Sequence, residues 1–396
     1  MWPVVGTVFL AIGLMACGGS GSLEDAAAPQ DARVIRDLTT QATLRAPNAD
    51  PDDFFGHSVA VSSDGTTIAV GAPWEDSAAN GVNGDAADNT VWNSGAVYVF
   101  TRAGSTWSQE AYIKPPDTRA NMQFGWSLSF TQDGNTLAIG TLSGSAAYVA
   151  TRTGGAWSIS TPLTGSNAVP TDLGRVVGLS SGGDMLMAGS LQGTYVFERS
   201  GTTWIEQAVL ATEVSPNASG AAIAANGSRL VAGPRIGAES GSLHVADRTP
   251  GGWISHDHGT SPSVHGCEGV GNLWLSADGR VLRGATGTST ALVCEWTHDG
   301  VAWSAPVIFD TMRPVATASS PDGEHIGWAM PAPPNMMMGT ILERAESWEP
   351  VARFAGLVAF GVSHAVILSL SHDGSTVAVG TPGDYRDRGA VFVLVE

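Results

Sequence analysis

The chain has 396 residues, with 37 acidic against 19 basic side chains, a formal charge of −18 and one lysine, Lys114. That balance excludes nucleic acid, which needs a cationic footprint, and an anionic lipid surface unless cations bridge to it. With 43% hydrophobic and 14% charged residues the chain is too apolar for disorder, and its 50 glycines, lacking a three-residue period, ask for many tight turns.

The first element is a short apolar run over residues 4–14, too short to span a bilayer as a helix. It reads as the core of an export signal, although no cationic residue precedes it. Leu14-Met15-Ala16-Cys17 then resembles the lipobox of bacterial lipoproteins. The resemblance implies cleavage before Cys17 and lipid on its thiol. It also implies an exported protein held in the cell envelope, at the periplasmic or exterior face of an outer membrane. Gly18-Gly19-Ser20-Gly21-Ser22 opens a flexible tether. The expected organisation is a signal over 1–16, lipidated Cys17 and tether over 17–37, and a folded body over 38–396.

The body is periodic. Asp64-Gly65, Asp133-Gly134, Gly182-Gly183, Asn226-Gly227, Asp278-Gly279, Asp322-Gly323 and Asp373-Gly374 are hairpin dipeptides, and their spacings are 69, 49, 44, 52, 44 and 51 residues. Such dipeptides suit a type I′ turn, with both central residues at positive φ. A second ladder, Trp107, Trp157, Trp204, Trp253, Trp303 and Trp348, has spacings of 50, 47, 49, 50 and 45. Each unit therefore reads as four strands. The dipeptide joins the first two, a run such as Gly95-Ala96-Val97-Tyr98-Val99-Phe100 is the third, and the fourth starts at the Trp. The expected fold is all-β, a seven-bladed propeller of four-stranded antiparallel blades. The seventh unit stops after its third strand, and residues 40–47 look like a fourth strand lacking a blade. This N-terminal strand is expected to complete the last blade and close the ring.

Phe55-Gly56-His57-Ser58-Val59-Ala60 with Ala69-Val70-Gly71-Ala72-Pro73 resembles the FG-GAP repeat of the integrin α-subunit propeller. Phe124-Gly125 with Ala138-Ile139-Gly140, and Phe360-Gly361 with Val379-Gly380-Thr381-Pro382, are partial copies. The likeness extends to bacterial secreted FG-GAP proteins. Blades one, two and seven carry it well, whereas blades three to six are degenerate. It implies glycine and proline at the bends, phenylalanine between blades, and in some relatives calcium loops of Asp-x-Asp-x-Asp-Gly form. No such loop occurs here. The candidate calcium site is the insertion in blade one, residues 74–93, with Asp76, Asp85 and Asp88 as ligands, because a hard cation wants six to eight oxygens. A solvated acidic loop is the other reading, and Asp384 and Asp387 in blade seven read that way too.

His256-x-His258 and His265-x-Cys267 are the residue types of a transition-metal site, or of a polar loop. Cys267 and Cys294 either pair as a disulfide or stay as two small buried thiols. The pre-Trp turns lack the recurrent aspartate of sialidase Asp-boxes, and no serine elbow, zinc-protease motif or phosphate loop is present. No catalytic residue is assigned. The expected function is a monomeric, non-catalytic module, for adhesion or scaffolding, that takes a protein or polysaccharide at one face of the ring. The alternative is an envelope glycosidase-like or lyase-like enzyme using acidic residues of the channel.

Overall fold

A computed structural model describes residues 35–396 apart from 167–172, 191–192, 211–220, 234–242, 257–261, 263–266, 268–269, 287–291, 311–315, 321–322, 333–335, 345–347, 359–365 and 383–387. The signal, Cys17 and most of the tether lie outside the described residues, as do His258, His265, Asp384 and Asp387.

Seven antiparallel sheets succeed one another along the chain. Blade one is Ser58–Val61, Thr67–Ala72, Ala96–Ala103 and Thr106–Ile113, each strand bonded to the next. Blade seven has Ile367–Leu370, Thr376–Thr381 and Ala390–Val395, and takes Thr39–Leu44 as its outer strand, with Thr43 opposite Phe392. The N-terminal strand thus closes the ring. The chain enters two residues earlier than the sequence reading placed it. Arg36–Asp37 first pairs in parallel with the outer strand of blade six, Trp348–Val358, and Leu38 is buried there. Asp37 meets Arg353 at 2.6 Å, and Arg36 pairs with Glu396. The N-terminal segment therefore clasps both sides of the seam between the last two blades.

Among the described residues the core divides into seven clusters, one at each blade interface. Phe55 packs with Tyr98 and Phe100 of blade one and with Val391 and Val393 of blade seven. Phe124 fills the same place between blades one and two. The seam between blades five and six is the leanest, with Val293 and Ile326 as its buried apolar pair. Arg283 of blade five crosses that seam to the Gly323 carbonyl while its Nε bonds Glu295 at 2.8 Å.

The repeat has a backbone cause. Gly71 of blade one lies against the carbonyl of Gly125 in blade two, where a Cβ would collide with it. Gly140 meets Gly174, and Gly380 meets Gly56, in the same way. A serine locks two of these approaches, Ser58 Oγ donating to Gly125 O at 2.7 Å and Ser127 Oγ to Gly174 O at 2.8 Å. Leu173-Gly174 therefore does the work of Phe-Gly in blade three, a substitution that hid the repeat from the sequence reading.

Two expectations are corrected. The hairpins are not type I′. Gly65 has φ +67°, but Asp64 is not in the left-handed region. Gly65 N donates to Ser62 O at 2.9 Å, so Ser63 and Asp64 occupy an ordinary β-turn and glycine alone takes the left-handed residue. Asp64 stays out of it because its carboxylate accepts from Ser62 Oγ at 2.6 Å and Thr66 N at 3.0 Å. Thr131–Asp133, Ser276–Asp278 and Ser371–Asp373 repeat the serine or threonine clasp. In blade five the outer strand is Val307–Asp310 and does not begin at Trp303, which makes an isolated bridge to His298. The other described outer strands begin at the Trp or one residue before it.

These turns carry a stability prediction. Gly65→Ala places a Cβ at positive φ and against the Thr376 side chain, whereas Gly104→Ala, at φ +62°, meets open space. Gly104→Ala is expected to cost about 1 kcal/mol in urea unfolding, and Gly65→Ala about 2 kcal/mol or more. Equal losses would show that the contact with blade seven carries no energy.

Candidate functional site

The first strands of the blades line the central channel. Val59, Leu128, Val177 and Leu273 face it from four of them. The Asp-Gly hairpins ring one end, where Ser63, Gln132 and Ser181 stand. The other end receives the longer loops, including the blade-one insertion. A cavity of 740 Å³ opens at that end.

Its blade-one and blade-two side is a wall of aromatic rings. Phe54 lies 4.5 Å from Trp74, Trp74 lies 5.7 Å from Trp126, and His57 sits 4.3 Å from Trp126, centroid to centroid. Opposite stand small and aliphatic residues of blades six and seven, among them Ala316, Ala318 and Leu368. Phe54 is held at φ +57° and Asp52 at +76°, both uncommon for residues with a side chain. The backbone thus accepts strain to set Phe54 on Trp74.

The insertion is braced from beneath by a buried network. Glu75 accepts from Lys114 Nζ at 2.6 Å, Tyr112 Oη at 2.7 Å, Ser77 N at 3.1 Å and Asn48 Nδ2 at 3.2 Å. Lys114 also donates to Ser94 Oγ at 2.7 Å, and Tyr98 Oη to Asn48 Oδ1 at 2.7 Å. Glu75 and Lys114 are 1% and 0% exposed, so the ion pair is dry. Burial pulls the Lys114 ammonium below the usual lysine range, against the opposing pull of Glu75. Burial and the neighbouring Glu75 both push the Tyr112 phenol up. Glu75 lies within the insertion read from the sequence as a candidate cation loop. Its four donors show it consumed by the fold.

The three candidate calcium ligands are each engaged locally. Asp76 Oδ1 accepts from Asn93 N at 2.6 Å, Asp85 Oδ1 from Ala87 N at 3.0 Å, and Asp88 Oδ1 from Thr90 N at 2.9 Å. Among the described residues no three carboxylate, histidine or cysteine side chains are grouped to hold a metal. Cys267 and Cys294 are joined in a disulfide, Cα atoms 6.4 Å apart, inside the core between blades four and five. His256 Nε2 lies 2.9 Å from Asp247, whose carboxylate is also clamped by Arg229 at 2.5 and 2.7 Å.

Asp53 stands behind the aromatic wall, its carbonyl accepting from Trp74 N. Burial raises its carboxyl to about 7; the Asp50 N–H opposes this, and the charges of Glu75, Asp50 and Asp76 add to it. Asp64, Asp133, Asp278 and Asp373 shift the other way. Partial burial disfavours their charge, but serine or threonine hydroxyls and turn N–H groups outweigh it and hold these carboxyls below the usual range. Two pH responses follow. The hairpin aspartates add stability that is complete above pH 3.8 and lost as pH falls through their lower folded values. Asp53 is most favourable when protonated, so its contribution is complete below pH 3.8 and lost as pH rises toward 7. In urea titrations, Asp53→Asn is expected to flatten the stability profile between pH 4 and 7 and leave the acid limb intact. An unchanged slope in that window would refute the buried-acid assignment.

Residues 38–100, the closing strand and most of blade one, match the FG-GAP repeat family. The chain is a β-propeller that carries an FG-GAP repeat. No curated protein matches it. Solved structures similar to this propeller share its fold at low identity. The Cps50 (Swd1) β-propeller domain of Myceliophteria thermophila is 13% identical, with a TM-score of 0.57 over 91% of this chain and 99% of that one. Kuenenia stuttgartiensis hydrazine synthase is 13% identical, with a TM-score of 0.54 over 89% and 97%. A chain of the mitotic checkpoint complex is 16% identical, with a TM-score of 0.54 over 94% and 100%. At these identities the propeller is all that is shared.

The aromatic wall was not visible in the sequence, because its four rings come from the segment entering blade one, from the blade-one insertion and from the first strand of blade two. One signal was available: Trp74 and Trp126 fall off the periodic Trp ladder.

Proposed function

We propose that this FG-GAP propeller is a lipid-anchored module of a bacterial cell envelope that binds a protein or polysaccharide at its loop-bearing face. The observation that carries the reading is the aromatic-walled channel mouth beside an insertion braced by the buried Glu75–Lys114 pair. A braced rim around a concave apolar centre is the ordinary form of a binding site. FG-GAP propellers are commonly binding or scaffolding modules, and one similar structure belongs to a complex, the mitotic checkpoint complex. Another is an enzyme, hydrazine synthase. The glycosidase-like or lyase-like alternative needs carboxylates converging in the channel, and the described residues lining it include none.

Anchoring and binding are tested separately. Full-length protein expressed in a Gram-negative host with labelled palmitate is expected to carry label and to sediment with membranes, and Cys17→Ser to abolish both. A wild-type chain that stays unlabelled and soluble would refute the anchor. The soluble body, residues 35–396, is then offered to a glycan array and a displayed peptide library. Binding to neither would refute the module.

A further inference from the structure

The channel mouth is more than a generic concavity. Its walls are aromatic at blades one and two and at Trp274 of blade five, and aliphatic at blades six and seven, and the one ionisable side chain among its described lining residues is His57. Two of its hydroxyls are already spent on backbone carbonyls, Ser58 on Gly125 and Ser127 on Gly174. A sugar ring needs several directed hydrogen bonds besides an aromatic face, and this lining offers few. An apolar side chain needs only shape and exclusion of water, which the lining supplies.

The surroundings carry the opposite character. Of the acids around Phe54 and Trp74, Glu75 is buried and neutralised by Lys114 and Asp53 is buried, so the half-buried Asp50 and Asp76 are the carboxylates that reach the surface there. Asp85 and Asp88 extend the acidic surface along the insertion, where Trp92 is 66% exposed. The whole chain carries −18. An approaching segment therefore meets acidic side chains along the insertion and then a mostly apolar cavity. Such an arrangement speeds the encounter through charge and holds the complex through the buried anchor.

We infer that the channel mouth receives a protein segment whose large apolar side chain enters between the Phe54–Trp74–Trp126 wall and the aliphatic residues of blades six and seven, while arginine or lysine beside that anchor meets the acidic rim. The inference rests on the binding-module reading and narrows its partner to a basic, apolar-anchored polypeptide.

A random dodecamer peptide library displayed on phage is panned against the body, residues 35–396, at low salt. Two variants serve as controls, each checked for an unchanged melting transition. Trp126→Ala removes part of the wall, and Ala316→Arg fills the opposite side with bulk and positive charge. The expected result is enrichment of peptides with an aromatic or leucine residue within about three positions of arginine or lysine. A synthetic peptide of the enriched sequence is expected to lose at least tenfold in affinity against either variant, and again when its anchor is changed to serine. Raising salt from 50 to 300 mM is expected to weaken it severalfold. Enrichment without a basic-apolar pattern, or equal binding to Ala316→Arg, overturns the inference. Binding of neutral glycans that is lost in Trp126→Ala overturns it too, while leaving the binding module standing. Binding to neither library nor glycans removes both.

Discussion

Lys114→Met is expected to destabilise the propeller by about 3–5 kcal/mol at pH 7, read as a fall in the urea midpoint at constant slope. Lys114 is fully buried and donates to Glu75 at 2.6 Å, and Glu75 is 1% exposed. Removing the cation strands a carboxylate in a dry site that retains Tyr112, Ser77 and Asn48 as donors. Those donors soften the loss without replacing the charge. Adding Glu75→Gln to Lys114→Met is expected to recover most of it, because two neutral partners of similar shape need no counter-charge. A single-variant loss under about 1 kcal/mol, or a double variant weaker than the single, would show that the pair does not brace the insertion.

Reduction of the Cys267–Cys294 disulfide is expected to cost about 3–4 kcal/mol, from closure of a loop with 27 residues of sequence separation. The bond ties the segment entering blade five to that blade's third strand, Leu292–Thr297, and both sulfur-bearing side chains are 0% exposed. It sits one blade from the lean seam between blades five and six, which relies on Arg283 more than on apolar contact. Hydrogen exchange on the reduced protein, or on Cys294→Ala, is therefore expected to rise first in blades five and six. Blade one is expected to stay protected, since its core is continuous on both sides. Uniform loss of protection around the ring would mean that the seam is not the weak point.

Architecture was legible because two independent markers recur at one blade length. The dipeptide ladder needs glycine at each hairpin, since only glycine accepts φ near +67° without cost, and the Trp ladder tracks the outer strands. The missing fourth strand of the last unit and the spare strand at residues 40–47 then implied closure. What failed was local. The turn type turned on a serine or threonine two residues before the aspartate, whose hydroxyl keeps Asp64 out of the left-handed region. The parallel pairing of Arg36–Asp37 left no pattern, because two residues cannot show a period. The site was less legible than the ring. Glu75 and Lys114 are 39 residues apart, and sequence cannot say that one neutralises the other. The acids of the insertion suggested a shared cation, and sequence could not show that Asp76, Asp85 and Asp88 accept from the backbone N–H groups of Asn93, Ala87 and Thr90.

The burial of Lys114 also sets what a chemist can do to this molecule. The sequence holds one ε-amine, and the fold seals it beneath the insertion. Succinimidyl esters, amine-directed cross-linkers and lysyl endopeptidase find no side-chain target on the closed body. Acylation of the Lys114 ε-amine, read apart from that of the α-amine, therefore counts a molecule whose insertion has lifted, and its kinetics become a clock for that opening. Contacts with any partner must be mapped through carboxylates or arginines instead.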